Sequence, residues 1–270
     1  MENLFDIKGR VVVITGGTGI LGECIAKYLA RQGAKVVVLG RRQAEGDKIV
    51  GEIAAEGGDA MFLVTNVLDE DVLKQNCADI LAKYGKIDAL LNAAGGNMPG
   101  ATIPPGKTFF DIDPAQFQTV VNLNLVGTVL PTQVFLKPMT EAGKGCVVNF
   151  SSEASFRPLT RVIGYAAAKA GINNFTAFMA NEVATKFTPE IRVNAIAPGF
   201  FLTNQNRALL TNEDGSLTER GKDVIRQTPF GRFGKPEELC GTIHYLISDA
   251  SAFVTGTVAV VDGGFNVYSM

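Results

Sequence analysis

Two side chains that could move a proton stand four residues apart in the segment GYAAAKAG. Tyr165 and Lys169 would lie on the same face of one helix. An ammonium group beside a phenol favours the phenolate, which would lower the pKa of Tyr165 from about 10 toward the range useful for proton transfer. Ser152 follows the apolar run CVVNF, and its hydroxyl could bind a carbonyl oxygen. These residues predict acid–base chemistry at a carbonyl or an alcohol, although a core tyrosine before a surface lysine gives the same spacing.

A glycine-rich stretch, TGGTGILG (15–22), follows the apolar run VVVI and precedes a segment of helical pattern. Its spacing, Gly17-x-Gly19-x-x-Gly22, is typical of a dinucleotide site when it lies between a strand and a helix. The glycines would let the backbone approach a pyrophosphate, whose charge the helix N-terminus favours. The stretch predicts a dinucleotide cofactor, and the alternative is a glycine-rich turn with a structural role alone.

The end of the second predicted strand, VVVLGRRQAEGDK, bears on which dinucleotide binds. Dinucleotide folds place an acidic residue here on the ribose of NAD, or an arginine near the extra phosphate of NADP. Gly40 occupies the acid position and Arg41 and Arg42 follow it, whereas the first acids, Glu45 and Asp47, come later. This pattern favours NADP. NAD remains possible if the two arginines only begin a solvated helix.

Short apolar runs alternate with longer amphipathic segments along the chain. Each run has the length and β-branched content of a buried strand, and the runs are VVVIT (11–15), KVVVL (35–39), AMFLV (60–64), DALLN (88–92), CVVNF (146–150), IRVNAIA (191–197) and TVAVVD (257–262). The segments between them end at glycines such as Gly33, Gly57 and Gly85, as helices often do. The alternation predicts an α/β fold, a single doubly wound Rossmann-type domain (1–270) with a seven-stranded parallel sheet. The irregular polar segment 200–235 could cover a site.

Composition excludes several other classes of protein. Lys and Arg number 25 against 27 Asp and Glu, without a basic run, so we expect no nucleic-acid or anionic-membrane partner. We recognise no apolar stretch of membrane-spanning length and expect a soluble, cytoplasmic protein. The four cysteines lie far apart without Cys-x-x-Cys spacing, which favours free thiols and no metal. The one histidine, His244, lacks clustered partners and is predicted to be structural.

The chain resembles the short-chain dehydrogenase/reductase family over nearly its whole length. The motifs that carry the resemblance stand in the family's order, namely TGGTGILG, NAAG (92–95), NLVG (124–127), Ser152, YAAAK (165–169), PGFFLT (198–203) and VDGG (261–264). The resemblance implies an NAD(P)-dependent oxidoreductase acting on CH–OH groups, and a homotetramer. Tyr165 would be the general acid/base and Lys169 would lower its pKa and hold the nicotinamide ribose. Ser152 would polarise the carbonyl, and Asn124 would hold a proton-relay water.

The resemblance also assigns residues to the cofactor. They are Gly16, Thr18, Gly19, Ile20, Leu21, Gly22, Arg41, Arg42, Asn66, Val67, Asn92, Ala93, Ala94, Gly95, Tyr165, Lys169, Pro198, Gly199 and Thr203. Two positions depart from the family pattern. Ile20 stands where the family has glycine, so we expect the turn to be locally reshaped. Asn66 stands where an adenine-contacting acid is common, and it keeps hydrogen-bonding capacity without the charge.

The segment after PGFFLT and the loop GGNMPGATIPPGKTFFDID (95–113) are similar to those of the family branch that interconverts D-mannonate and D-fructuronate. A sugar acid needs amide groups for its hydroxyls and a guanidinium fork for its carboxylate. The predicted substrate-binding residues are Ser152, Arg157, Gln205, Asn206 and Arg207. Each arginine could instead form a surface ion pair. That branch is commonly NAD-linked, which conflicts with the arginines after Gly40.

Other functions remain open at this point. A reductase of the same fold could act on a neutral sugar, a polyol or a 3-oxoacyl thioester. A non-catalytic dinucleotide sensor would not need the set formed by Asn124, Ser152, Tyr165 and Lys169. A nucleic-acid-binding domain on a similar scaffold would need a basic face that this composition does not suggest.

Overall fold

Seven parallel strands form one sheet in the computed structural model, which describes residues 3–203 and 206–269. The strands are β1 (Val11–Thr15), β2 (Lys35–Gly40), β3 (Asp59–Val64), β4 (Ala89–Asn92), β5 (Gly145–Phe150), β6 (Ile191–Pro198) and β7 (Val258–Val261). Their order in the sheet is β3-β2-β1-β4-β5-β6-β7, with every pairing parallel. The predicted fold class is therefore confirmed. The order reverses between β1 and β4, which opens a crevice at their carboxyl ends.

Helices cover both faces of the sheet. They are α1 (Ile20–Arg31), α2 (Gln43–Ala55), α3 (Glu70–Tyr84), α4 (Pro114–Val121), α5 (Gly127–Ala142), α6 (Ile163–Lys186), α7 (Arg207–Leu210), α8 (Glu219–Arg226) and α9 (Cys240–Ile247). One apolar cluster joins α1, α2 and α9 to the sheet, and a second joins α3, α5 and α6 to its other face. Both faces of the central strands are therefore buried against helices.

Left-handed glycines end several of the helices, as the sequence predicts. Gly33, Gly57 and Gly85 have φ values of 84°, 81° and 75°. A residue with a Cβ adopts this conformation at a cost, whereas glycine does not. Each glycine lets the chain turn directly from a helix into the next strand.

The covering segment, residues 200–235, leaves the sheet after β6. It contains the short helices α7 and α8 and begins and ends at a bridge between Phe201 and Gly234. Thr211 and Leu217 pair in an antiparallel bridge inside it. The segment thus has internal structure of its own and lies at the carboxyl side of β6, although its role over a substrate stays a prediction.

One continuous helical run, Pro114–Ala142, is long and apolar enough to cross a membrane by length and composition. The expectation that no segment approaches this composition is therefore wrong. The run joins α4, a π-helical turn (Asn122–Val126) and α5. Its side chains Phe135 and Met139 are fully buried against the sheet and neighbouring helices. Packing in the protein core accounts for apolar residues of this kind.

His244 connects three parts of the chain. Its Nδ1 lies 3.0 Å from the Tyr28 hydroxyl on α1, and its Nε2 lies 2.6 Å from the Phe5 carbonyl oxygen. The ring therefore joins the N-terminal segment to α1 and α9, which agrees with a structural role.

Candidate active site

The glycine-rich loop between β1 and α1 is shaped by backbone contacts. A Cβ on Gly16, whose φ is 66°, would lie 2.8 Å from the Ala93 carbonyl oxygen. A Cβ on Gly22 would lie 2.5 Å from the Gly16 carbonyl oxygen, and one on Gly17 would meet Val38 at 2.8 Å. These contacts explain why glycine is needed at each position. They bring the first turn of α1 against the ends of the neighbouring strands.

The N-terminus of α1 has free N–H groups toward the loop. Gly19 is its N-cap, with no side chain to accept from the first turn. Ile20 is the first residue of the helix and does not have a left-handed backbone conformation, and the expected local reshaping of the turn stays a prediction. Such a helix end favours a phosphate through its N–H groups and dipole.

A cleft of about 610 Å³ opens over this loop and the carboxyl ends of the strands. Its lining contains many of the predicted cofactor residues, and the residues that border it are Gly16, Thr18, Gly19, Ile20, Leu21, Gly22, Gly40, Arg41, Arg42, Thr65, Asn66, Val67, Leu68, Ala93, Ala94, Gly95, Met98, Thr119, Leu123 and Thr203. We call this the cofactor cleft. The glycines of this loop leave space that a Cβ would fill, and the loop lies beside a helix N-terminus without a side-chain cap. Both features fit the pyrophosphate of a dinucleotide.

Gly40, at the end of β2 where the choice between NAD and NADP is made, has little space for a side chain. A Cβ on Gly40 would lie 2.7 Å from the Thr18 Oγ1. The Arg42 guanidinium donates to the Thr18 carbonyl oxygen at 2.6 Å and pairs with Glu45 at 3.2 Å. Arg41 is exposed at the cleft and has no side-chain partner in the described part of the chain. Of the two arginines, Arg41 is therefore the one whose guanidinium is available to a ligand.

Asn92 does not line the cofactor cleft, which corrects the prediction for this residue. Its side chain is buried and donates to the Thr132 Oγ1 at 2.8 Å and to the Asn149 Oδ1 at 2.9 Å. The amide points into the protein and joins β4 to β5 and α5, because these polar partners lie below the strand end. The next residues, Ala93 to Gly95, form the cleft wall instead.

Ser152 and Tyr165 meet at the carboxyl end of β5. Ser152 has extended backbone and its Oγ accepts from the Ala154 N–H at 3.2 Å. Its hydroxyl lies close enough to the Tyr165 hydroxyl to influence the pKa of that phenol. Burial raises the pKa of Tyr165 above its ordinary value of 10, while the hydrogen bond with Ser152 acts in the opposite direction. At neutral pH the phenol is thus protonated and next to a second hydroxyl.

Lys169 lies on the next turn of α6, fully buried. Its Nζ donates to the Phe150 carbonyl oxygen at 2.6 Å and stands 5.4 Å from the centre of the Tyr165 ring. Burial lowers the pKa of Lys169 to about 7. The expected lowering of the Tyr165 pKa by a nearby ammonium is wrong for this structure, because burial raises that pKa and only the Ser152 hydroxyl opposes the rise.

Asn124 lies in the π-helical turn, a feature found often at functional sites. Its amide donates to the carbonyl oxygens of Gly96 at 2.7 Å and Val120 at 2.8 Å. A Cβ on Gly95 would lie 2.7 Å from the Asn124 Oδ1 and 3.4 Å from the Lys169 Nζ. The side chains of Asn124 and Lys169 therefore both lie close to Gly95, which borders the cofactor cleft.

Two residues that the motif PGFFLT assigns to the cofactor lie away from the cofactor cleft. The Gly199 N–H donates to the Val261 carbonyl oxygen at 2.9 Å, and a Cβ on Gly199 would lie 2.7 Å from the Asp262 Cα. Pro198, at the end of β6, pairs with Val261 of β7. These residues pack against the chain after β7, whereas Thr203 borders the cleft.

The predicted substrate-binding side chains are mostly engaged by the protein. The Arg157 guanidinium donates to the Phe265 carbonyl oxygen at 2.5 Å and to the Gln227 Oε1 at 3.2 Å, and it lies over the Phe265 ring. The Asn206 amide donates to the Phe201 carbonyl oxygen at 2.8 Å and accepts from the Thr203 N–H at 2.8 Å. Both predictions are corrected, because these groups hold the ends of loops together.

Two predicted substrate residues remain. Arg207 is exposed at the start of α7, with no ion pair or side-chain hydrogen bond to the described residues. Gln205 lies outside the residues that the structure describes.

Sequence reasoning missed Glu153, which follows Ser152 directly. Its carboxyl group is buried, and neither oxygen has a hydrogen-bond partner in the described part of the chain. Burial, with a smaller contribution from the charge of Asp262, raises the pKa of Glu153 to about 7 against the opposing charge of Arg157. An acidic residue at the end of a buried strand, next to a candidate catalytic serine, is a signal that could have found it.

A doubly wound parallel sheet with a glycine-lined cofactor cleft, and with Ser152 and Tyr165 together at the carboxyl end of β5, is typical of a dinucleotide-dependent oxidoreductase. Residues 10–214 match the family model described as short chain dehydrogenase. The chain belongs to the short-chain dehydrogenase/reductase family and acts on CH–OH groups with NAD(P).

Several relatives resemble the chain along almost its full length. The "Uncharacterized oxidoreductase UxuB" of Bacillus subtilis is 45% identical over 273 residues, covering 98% of this chain and 97% of the relative. A crystal structure of "a putative D-Mannonate oxidoreductase" from Haemophilus influenza with bound NAD has a TM-score of 0.91 and 40% identity, covering 99% of each chain. A gluconate 5-dehydrogenase from Burkholderia cenocepacia, in complex with NADP and tartrate, has a TM-score of 0.87 and 29% identity, covering 98% of each.

Proposed function

We propose that this enzyme interconverts the hydroxyl and ketone forms of a sugar acid, with D-mannonate and D-fructuronate as the pair. The observation that carries the proposal is the partly buried pair of Ser152 and Tyr165, whose neighbour Lys169 has its Nζ close to Gly95 in the wall of the cofactor cleft. The Haemophilus influenza relative, whose name refers to D-mannonate, supports the choice of substrate. So does the resemblance of the loop 95–113 and the covering segment to that branch.

The proton chemistry rests on two hydroxyl groups. Ser152 donates a hydrogen bond to the ketone oxygen, which favours the negative charge that develops there. Tyr165, kept protonated by burial, donates its proton to that oxygen during reduction and takes it back during oxidation. When bound, the nicotinamide supplies or accepts a hydride at the reacting carbon.

Lys169 and Asn124 complete the proposed set of catalytic residues. With a pKa of about 7, Lys169 exchanges protons near neutral pH. Its Nζ also stands close to Gly95 in the cleft wall, where it can hold a ribose hydroxyl. The Asn124 Oδ1 accepts from the Gly96 N–H, and the Asn124 Nδ2 donates to the Gly96 carbonyl oxygen. We propose these two residues, with Ser152 and Tyr165, as the catalytic set.

The cofactor is held, in this proposal, by the glycine loop at its pyrophosphate. Asn66 and Val67 lie at the adenine end and Thr203 at the nicotinamide end. Arg41, which has no protein partner among the described residues, favours the extra phosphate of NADP. NAD is the alternative, since the Haemophilus influenza relative binds it. The two cofactors therefore need a direct comparison.

Initial rates of D-fructuronate reduction, followed by nicotinamide absorbance with NADPH and NADH in turn, test this function. We expect turnover with D-fructuronate, with the higher kcat/KM for NADPH. D-Fructose and a 3-oxoacyl thioester serve as the neutral comparisons. Efficient turnover of either neutral compound, without turnover of D-fructuronate, would replace the substrate and leave the oxidoreductase class intact.

We also propose a homotetramer in the cytoplasm. Large aromatic side chains are solvent-exposed in the single chain, including Phe178 on α6 and Phe253 before β7. Exposed apolar groups of this size are typical of contact surfaces between subunits. Light scattering after gel filtration gives the mass that decides the oligomeric state, and cell fractionation checks the location.

A further inference from the structure

Two arginines lie where the loop between Ser152 and Tyr165 meets α8 of the covering segment. The Arg220 guanidinium donates to the Thr160 Oγ1 at 3.0 Å and to the Thr160 carbonyl oxygen at 3.4 Å. Its Nε is buried and has no hydrogen-bond partner in the described part of the chain. Burial lowers the pKa of Arg220, and the positive charge of Arg161 nearby lowers it further. We call Arg161 and Arg220 the arginine pair.

The arginine pair lacks an acidic partner of its own. Within residues 3–203 and 206–269 neither guanidinium forms an ion pair. Asp223 is the acid whose charge reaches Arg220, and it already pairs with Arg226 at 2.9 Å. Two like charges brought together without a counter-charge repel each other, so an anion between them would stabilise the arrangement.

Arg161 is also held in an unusual backbone conformation. Its φ is 79°, the one left-handed value among the described non-glycine residues. Its carbonyl oxygen accepts from the Ile103 N–H at 2.9 Å. A left-handed arginine costs free energy that the surrounding structure must offset. The hydrogen bond fixes the direction in which this loop enters the helix that carries Tyr165.

The position of the pair brings together the regions expected to meet the substrate. Arg161 precedes Tyr165 by four residues, which limits their Cα separation to about 14 Å. Ile103 belongs to the loop after β4, whose residue Met98 borders the cofactor cleft. Arg220 belongs to the covering segment, which starts beside Thr203 of the same cleft. Backbone and side-chain hydrogen bonds therefore join three separate segments at Thr160, Arg161 and Arg220.

We propose that Arg161 and Arg220 bind the carboxylate of the oxo-acid substrate and determine the preference for acids over neutral sugars. This inference rests on the proposed function, and it assigns the carboxylate to a pair that differs from Arg157 and Arg207. Arginine suits the role because its planar fork donates two parallel hydrogen bonds to a carboxylate. In Arg220 the Nε has no hydrogen-bond partner in the described part of the chain, so this guanidinium keeps unused donor capacity.

Substitution of Arg220 by alanine tests the proposal, with Arg226→Ala as the matched control. Arg226 is an exposed arginine on the same helix. We expect Arg220→Ala to lower kcat/KM for D-fructuronate by about 10- to 100-fold, mainly through KM, because a charge-assisted hydrogen bond is lost. The kcat/KM for neutral D-fructose should change less than about twofold. Arg226→Ala should leave both values unchanged, and Arg220→Lys should retain part of the acid preference.

A binding measurement separates recognition from turnover. Calorimetric titration of D-mannonate into the cofactor-saturated Tyr165→Phe protein gives an affinity that needs no chemistry. Adding Arg220→Ala or Arg161→Ala to that background should weaken D-mannonate binding by the same 10- to 100-fold factor, of about 1.4 to 2.8 kcal/mol, with D-mannitol as the neutral comparison. Thermal unfolding of each variant verifies that it folds.

The outcomes distinguish this inference from the proposed function. Equal losses for acid and neutral substrates, or none, would overturn the role of the arginine pair while D-fructuronate stays the substrate. A wild-type enzyme that reduces another sugar-derived oxo acid but not D-fructuronate, with the same dependence on Arg220, would change the substrate and support the pair. An enzyme that uses neutral substrates alone would overturn both.

Discussion

The cofactor end of the site is shaped by backbone, whereas the substrate end is shaped by side chains carried on loops. In the cofactor cleft the close contacts are those that a Cβ on Gly16, Gly22 or Gly40 would break. At the substrate end the geometry comes from long-range bonds such as Arg157 to Phe265 and Arg220 to Thr160. The glycine contacts are mostly with main-chain atoms. The guanidinium bonds join side chains to segments that lie far apart in the sequence.

This difference explains what each end can tolerate. A backbone cradle loses its shape when one atom is added, because neighbouring main-chain atoms cannot move aside easily. A side-chain network can lose one group and keep its fold, while its selectivity changes. We therefore expect changes at the cofactor end to impair every substrate alike, and changes at the substrate end to act on one step or one ligand.

The largest effect should come from the substrate end. Tyr165→Phe removes the proton donor and should lower kcat by about 10²- to 10⁴-fold, while the dissociation constant for NADPH changes little. Stopped assays give kcat, and quenching of nicotinamide fluorescence gives the dissociation constant. Tyr84→Phe, which removes a surface hydrogen bond to Asp59, is the control and should keep full turnover. Near-normal turnover of Tyr165→Phe would contradict the assigned role.

A pH-dependent effect on stability should come from Glu153. In the unfolded chain its pKa is near 4.5, and in the folded protein it is about 7. The unfolded state therefore binds fewer protons than the folded state between these values, so stability falls as pH rises through that window. Above pH 7 the full cost remains, up to about 3 kcal/mol.

Glu153→Gln keeps the shape of the side chain and removes this cost. The midpoint of thermal unfolding should rise relative to wild type at pH 8 and stay close to it at pH 4.5. Glu213→Gln, at an exposed position, should shift neither value. A stabilisation by Glu153→Gln of the same size at both pH values would disprove the link to ionisation.

A change at the cofactor end should weaken cofactor binding, which Tyr165→Phe is expected to leave almost unchanged. In Gly22→Ala the new Cβ would meet the Gly16 carbonyl oxygen. Overpacking of this kind destabilises a structure by about 1 to 3 kcal/mol. Affinity for NADPH and NADH should fall together, by about 5- to 150-fold if the whole cost falls on binding. Gly51→Ala on α2, where a Cβ has open space, should bind both cofactors normally. Intact affinity in Gly22→Ala would remove the argument for a tight cradle.

The smallest effect should distinguish the two cofactors. Arg41→Ala should raise KM for NADPH by about tenfold through loss of a charge-assisted contact, and change KM for NADH less than about twofold. Arg42→Ala is the comparison: because Arg42 holds the Thr18 carbonyl, its loss should affect both cofactors equally. Equal changes for both cofactors in Arg41→Ala would favour NAD.

The elements with regular spacing could be predicted from the sequence. The predicted strands match the observed ones within about a residue at each end, because short apolar runs rich in β-branched residues favour buried strands. Asn92 was assigned wrongly because a polar residue at a strand end can face the cleft or the interior. Its interior partner, Thr132, lies 40 residues away. No local pattern marks such a partner.

The same limit applies to the arginines. The sequence identifies guanidinium groups near Ser152 and in the covering segment, but the spacing does not say which of them the protein itself binds. Arg157 is bound by Phe265 across 108 residues, whereas Arg220 keeps a free buried nitrogen. The pKa of Tyr165 was misjudged for a related reason, because burial cannot be measured from a four-residue spacing.

The bridge between Phe201 and Gly234 has a consequence for how substrate range can change. It joins the two ends of the covering segment, and the Phe201 ring packs directly on Gly234. Insertions and deletions between fixed ends add little loop-closure entropy. The part of the segment between these ends can therefore change in length while the seven-stranded sheet folds unaltered.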